Sequence, residues 1–366
     1  MALRLLKGHT VDTKDSVSIE LDKDSIVFQG CEQEALAVYL SGHLTIHVKE
    51  PLAVKHIRLH LSGVRRVSLR APPPAARKTL SSEDEFYKRS WHFHDAYRAT
   101  PEVLAPGEHK YPFSVLLEGS LPESVEGLKD ASIAYSFTAE VGRKHARDLR
   151  LQKPLRIIRV PEPWSQEMVL DEVWADKIAY LIEIPNKVVA FGASLDVNYS
   201  FLPVLSGLKI AYIETHILEV REFALNESEM DSGRSHSTTA ILCSDQYNVD
   251  DGAIKTMDGC QFSRSLRLPR TLGECVPDTS ARGIRIKHKL VIQVRMHNPE
   301  GHDTELRLAI PVSIYLSPYY RAWEGSFTGD VQLPPTLIPG DEPPPPYEEH
   351  GLDRVYSPRE LLAGSA

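Results

Sequence analysis

An all-β chain of two tandem β-sandwiches with a flexible C-terminal tail is predicted by three features of the sequence. Apolar and polar residues alternate with period two, proline separates comparable strand-rich blocks, and the body lacks an apolar stripe of helical period. Successive side chains of a strand face opposite sides, so one parity packs inward. In residues 54–61, Ile57, Leu59 and Leu61 alternate with His56, Arg58 and His60. In residues 133–141 the inward set is Ile133, Tyr135, Phe137, Ala139 and Val141. Further on, Ile284, Ile286, Leu290, Ile292, Val294 and Met296 share one parity, interrupted only at His288. Other strands are expected at 25–29, 35–48, 111–117, 155–160, 177–184, 188–201, 209–221, 238–244, 260–268 and 305–316. The one helical candidate is 357–363.

Domain boundaries follow from proline, which removes a ladder donor and is driven out of central strands. Val160-Pro161-Glu162-Pro163-Trp164 lies mid-chain and marks a linker. After Ser317-Pro318 the alternation stops and Gly325, Gly329, Pro334, Pro335, Pro339 and Gly340 accumulate. The expected division is a sandwich at 1–160, a second at 161–319 and a proline-rich tail at 320–366. Residues 70–90, with Pro72-Pro73-Pro74 and Ser81-Ser82-Glu83-Asp84-Glu85, read as a mobile polar loop, an ordinary surface loop in the first instance and a bearer of regulatory phosphorylation sites in the alternative.

The 366 residues, 42% of them hydrophobic, suffice for two cores. A net charge of -8 argues against general nucleic-acid binding, which needs many Lys and Arg against phosphate. Neither a secretory apolar run nor a stretch of roughly 18–20 apolar residues appears, so a cytosolic chain is expected. Cys31, Cys243, Cys260 and Cys275 are spaced too widely for a disulfide framework or a C-x-x-C site and read as reduced thiols. The sequons at Asn198 and Asn226 are discounted for want of a signal peptide.

No nucleophile elbow, phosphate loop or H-E-x-x-H motif occurs, and the chain reads as a non-enzyme without cofactor. His92 and His94, two apart in Trp91-His92-Phe93-His94, share a face if extended, but spacing supplies no third ligand and no metal is expected. Local positive charge gathers in Arg143-Lys144-His145-Ala146-Arg147 and continues through Arg150, Lys153, Arg156 and Arg159, with Asp148 the one acid among them. Such a field suits acidic or phosphorylated tails, or anionic lipid headgroups; the alternative is two solvated strand faces joined by a charged turn.

The sharpest short motif is Pro343-Pro344-Pro345-Pro346-Tyr347. Consecutive prolines pre-set the polyproline II helix, which docks in aromatic-lined grooves at little entropic cost, and WW domains read its P-P-x-Y form.

At this point the chain resembles the arrestin family, and within it the α-arrestins, or arrestin-related trafficking adaptors. Carrying the resemblance are Gly42-His43-Leu44-Thr45-Ile46, Val54 through Gly63, Gly107-Glu108-His109-Lys110-Tyr111-Pro112-Phe113-Ser114-Val115, Leu121-Pro122-Glu123-Ser124 and Ile133-Ala134-Tyr135. In the second half they are Ile182-Glu183-Ile184-Pro185-Asn186-Lys187 and residues 306–316, and the tail tyrosine motif marks the α branch. The resemblance implies two arrestin sandwiches that select membrane transporters or receptors through their cytosolic tails. It also implies a HECT-type ubiquitin ligase whose WW domains take Pro344, Pro345 and Tyr347, so that cargo is ubiquitylated and endocytosed at plasma membrane and endosomes. Lys177 then stands where such adaptors accept ubiquitin. A signalling scaffold coupling a receptor to a nutrient or pH response is the alternative. A single P-P-x-Y argues against avid multi-WW binding.

Overall fold

The computed structural model describes residues 15–70, 79–95, 102–162, 166–248, 254–256 and 259–318. The N-terminal sandwich comprises β1 (Ser16–Leu21), β2 (Ser25–Gln29), β3 (Val38–Val48), β4 (Leu52–Arg70), β5 (Thr79–Asp95), β6 (Glu102–Leu104), β7 (Gly107–Leu117), β8 (Ala131–Arg143) and β9 (Leu149–Val160). One sheet has the order β1-β3-β7; the other runs β2-β9-β8-β4-β5, with β6 also on β4. The expected alternation is realised. In β8, Ala131, Ile133, Tyr135, Phe137, Ala139 and Val141 are buried, and Phe137 packs on Phe113 and Trp91.

The C-terminal sandwich comprises β10 (Met168–Trp174), β11 (Ile178–Ile184), β12 (Val188–Ala190), β13 (Ser194–Pro203), β14 (Lys209–Phe223), the helix α1 (Glu227–Asp231), β15 (His236–Asn248), β16 (Ile254–Thr256), β17 (Gly259–Arg267), β18 (Thr279–Ala281), β19 (Ile284–His297) and β20 (Asp303–Tyr315). Its sheets run β10-β11-β13-β17-β16 and β12-β20-β19-β14-β15, with β18 also on β19. The parallel pairs are β2 with β9 and β12 with β20. Among the described residues no helix is long and apolar enough to cross a membrane.

Three expectations need correction. The loop expected at 70–90 is largely β5, which runs antiparallel to β4 from Arg70↔Thr79 to His56↔Asp95; residues 71–78 lie outside the described residues. Its polar residues fit an edge strand, where charge discourages pairing with another chain. Arg66 and Glu83 sit directly opposite each other and pair at 3.0 Å, while Phe86, Tyr87, Trp91 and Phe93 pack on the core. The continuous strand expected at 188–201 divides at Gly192 (φ 75), because β12 joins β20 and β13 joins β11. The body also holds a helix, α1, too short to show a period. Asn226 Oδ1 accepts from Glu229 N at 2.8 Å and Glu229 Oε2 accepts from Leu225 N at 3.2 Å, which satisfies end groups reciprocally. The other helical candidate, 357–363, lies outside the described residues.

Candidate partner-binding sites

The basic segment is the β8–β9 hairpin. The turn between the strands leaves Lys144, His145 and Arg147 exposed at its tip. Arg143 is tied down: its Nε donates to Arg147 O at 2.5 Å, Asp148 Oδ1 accepts from its backbone N at 3.2 Å, and Asp15 stands 3.5 Å from Nη1. Arg150 lies opposite Glu140 and pairs with it at 3.2 Å, but is 68% exposed. Such a surface pair is worth roughly 0–1 kcal/mol and yields readily to a better anion.

Further down the strand the cations serve the fold. Lys153 donates to Ile19 O, Arg156 forks onto Glu126, and Arg159 holds Glu123 together with the carbonyls of Gly30, Gly119 and Leu121. The counter-charges, Glu123 and Glu126, come from the segment between β7 and β8 and so are hidden from a local reading. Of the four cations expected to meet a partner, Lys144, Arg147 and Arg150 face solvent and Arg143 braces the turn.

Lys177 closes the β10–β11 turn, where Asp176 takes a positive φ of 61°. Its ammonium lies 4.6 Å from the Trp174 ring centroid and donates to Thr304 Oγ1 at 3.3 Å. Ubiquitin transfer there requires release of the amine from both.

The two sandwiches share a built joint. Arg65, buried on β4, donates from Nη1 to Leu225 O at 2.8 Å and from Nη2 to Ala224 O, while Nη1 also reaches Ser82 Oγ at 3.1 Å. Arg282 (φ 49) and Gly283 (φ 75) form the two-residue turn between β18 and β19, the left-handed pair that tight hairpins require. A Cβ on Gly283 would meet Ala224 O at 3.0 Å and Arg65 Nη2 at 3.1 Å, so glycine also makes room for the joint. The Arg282 guanidinium lies 4.2 Å from the Phe86 centroid and 3.6 Å from Asp84. Phe223, Val276, Ile284 and Ile286 join the core of the N-terminal strands. Arg65→Ala strands two carbonyls, at about 1–3 kcal/mol. We expect it to uncouple the sandwiches, and calorimetric unfolding to broaden or split while both domains still fold.

A polar cluster lies inside the C-terminal core. Glu219 on β14 and His288 on β19 are register partners, and Glu219 Oε2 meets His288 Nε2 at 3.1 Å. Asp278 Oδ1 takes the other imidazole nitrogen at 2.5 Å and also accepts from Ile314 N at 3.0 Å. Val276 N donates to Glu219 Oε2 at 2.7 Å, and Arg221 holds Oε1. Burial alone would lower the basicity of His288. Hydrogen bonds with Asp278, Cys275 and Glu219 outweigh it and push the imidazole up to about 11, an imidazolium. Burial would raise Glu219, but His288, Val276 and Arg221 hold it below its ordinary value, as a carboxylate. Sequence reading left this cluster out, although its trace was the one polar break in β19.

The His92 and His94 pair gathers no third ligand among the described residues. His92 meets Asp95 and His94 meets Glu102, each at 2.7 Å, and a register shift falls opposite them on β4. Cys31 is exposed, Cys243 half-buried, and Cys260 and Cys275 buried, and none of the four is in a disulfide. Pro344, Pro345 and Tyr347 lie outside the described residues.

Comparison with known proteins bears on both halves. Residues 17–162 match the family described as arrestin (or S-antigen), N-terminal domain, and residues 174–319 match its C-terminal domain. The chain is 54% identical, over 98% of its own length and all of the relative's, to HECT-type ubiquitin ligase-interacting protein apyA of Emericella nidulans. Probable HECT-type ubiquitin ligase-interacting protein creD of Aspergillus clavatus is 44% identical over 93% of the chain, and creD of Emericella nidulans 42% identical over the same share. The chain spans about 60% of the length of the creD proteins. With both domains matched in order and a relative aligned from end to end, the chain belongs to the arrestin family, among the α-arrestin-like adaptors rather than the enzymes.

Proposed function

We propose that this protein links a HECT-type ubiquitin ligase to membrane transporters or receptors, promoting their ubiquitylation and endocytosis. The observation that carries the reading is the end-to-end match to a relative named as a HECT-type ligase-interacting protein, in a chain whose tail bears Pro343 to Tyr347. WW domains of the ligase take Pro344, Pro345 and Tyr347. The exposed cations of the β8–β9 hairpin, Lys144, Arg147 and Arg150, meet acidic groups of the cargo tail or anionic headgroups beside it. Lys177 accepts ubiquitin from the recruited ligase. The protein works in the cytoplasm and is drawn to plasma membrane and endosomes by its cargo.

Surface lifetimes of nutrient transporters test this, measured in cells carrying the wild-type chain, a deletion or Tyr347→Ala. The deletion and the variant are both expected to prolong the lifetime of at least one transporter severalfold. Lifetimes unchanged throughout, with a nutrient or pH response lost, would favour the scaffold reading instead.

A further inference from the structure

We propose that Glu219, Cys275 and His288 form a zinc site inside the C-terminal sandwich. One ligand atom from each, a carboxylate oxygen of Glu219, Sγ of Cys275 and a ring nitrogen of His288, lies within 4.8 Å of the other two, and all three residues are buried. Zinc bonds of about 2.0–2.3 Å in a tetrahedron set ligand atoms roughly 3.3–3.8 Å apart, so modest contraction about an ion completes the set. The carboxylate and imidazole already stand 3.1 Å apart. Thiolate with imidazole favours zinc over magnesium or calcium, which take oxygen ligands.

The surroundings are those of a ligand set. Asp278 holds the far imidazole nitrogen at 2.5 Å, leaving Nε2 for the metal, and is itself anchored by hydrogen bonds with the backbone of Ile314 in both directions. A carboxylate behind a ligating histidine fixes its tautomer and orientation. Arg221 holds the other oxygen of Glu219. Val276 N donates to Oε2, the Glu219 oxygen that also meets His288 Nε2.

One Zn2+ enters, forming bonds to His288, Cys275 and Glu219; the protons that the ring nitrogen and the thiol carry leave for solvent as those bonds form. Three separate segments, β14, the stretch before β18, and β19, are thereby tied together.

The test uses the full chain, stripped with a chelator and titrated with zinc chloride against a chromophoric zinc indicator. One equivalent should bind at micromolar zinc and raise the melting temperature. Substitution with cobalt(II) should give a thiolate-to-cobalt charge-transfer band. Cys275→Ser should lose the band and the equivalent, whereas Cys243→Ser should keep both. Failure of the wild-type chain to bind a stoichiometric equivalent would overturn the proposal whatever the variants do. So would an equivalent retained by a folded Cys275→Ser chain, since it would place the metal on surface histidines.

Discussion

Glu219→Ala is expected to destabilise the C-terminal sandwich by about 3–5 kcal/mol, the cost of removing one partner from a buried charged pair. The side chain is 0% exposed, so water cannot replace what it supplies. Its loss leaves the Nε2 side of His288 and the backbone N–H of Val276 without their acceptor, and frees Arg221 from its carboxylate. Glu219→Gln, which retains an oxygen for one of these donors, should cost less. Urea unfolding followed by circular dichroism checks both variants. A loss below about 1 kcal/mol for the alanine variant would mean that the network contributes little to the fold. Because Glu219 lies opposite His288 on adjacent central strands, the damage should centre on β14 and β19. Hydrogen exchange would show it as lost protection there before β3 or β8.

Much of the fold was legible because a sandwich writes its core into every second residue. The parities of β4, β8 and β19 were open to reading, and β2 was anticipated to the residue. What stayed hidden depended on partners distant in the chain. The stretch Ser81 to Glu85 looked like a loop because its acids had no visible cations; β4 supplies Arg65 and Arg66 opposite them. The basic segment looked more open than it is, because Glu123, Glu126 and Asp15 reach it from other elements. His288 was visible only as a break in a pattern. Glu219, 69 residues earlier, and Asp278, ten residues earlier, become its partners through strand register and loop placement, which one sequence does not display.

The second large effect concerns the tail. Tyr347→Ala should remove ligase binding while leaving both sandwiches folded, since among the described residues the cores of both domains are complete before residue 317. Polyproline recognition rests on a short, pre-extended segment with the tyrosine filling its own pocket, so a single truncation suffices to abolish it. With one P-P-x-Y in the chain, no second copy compensates through avidity. The direct measurement is calorimetric titration of a multi-WW ligase fragment into the full-length protein, beside the Tyr347→Ala chain. Saturable binding to the first and none to the second is the predicted result. Equal binding to both, or none to either, would contradict the assignment of the tail as the ligase-recruiting element.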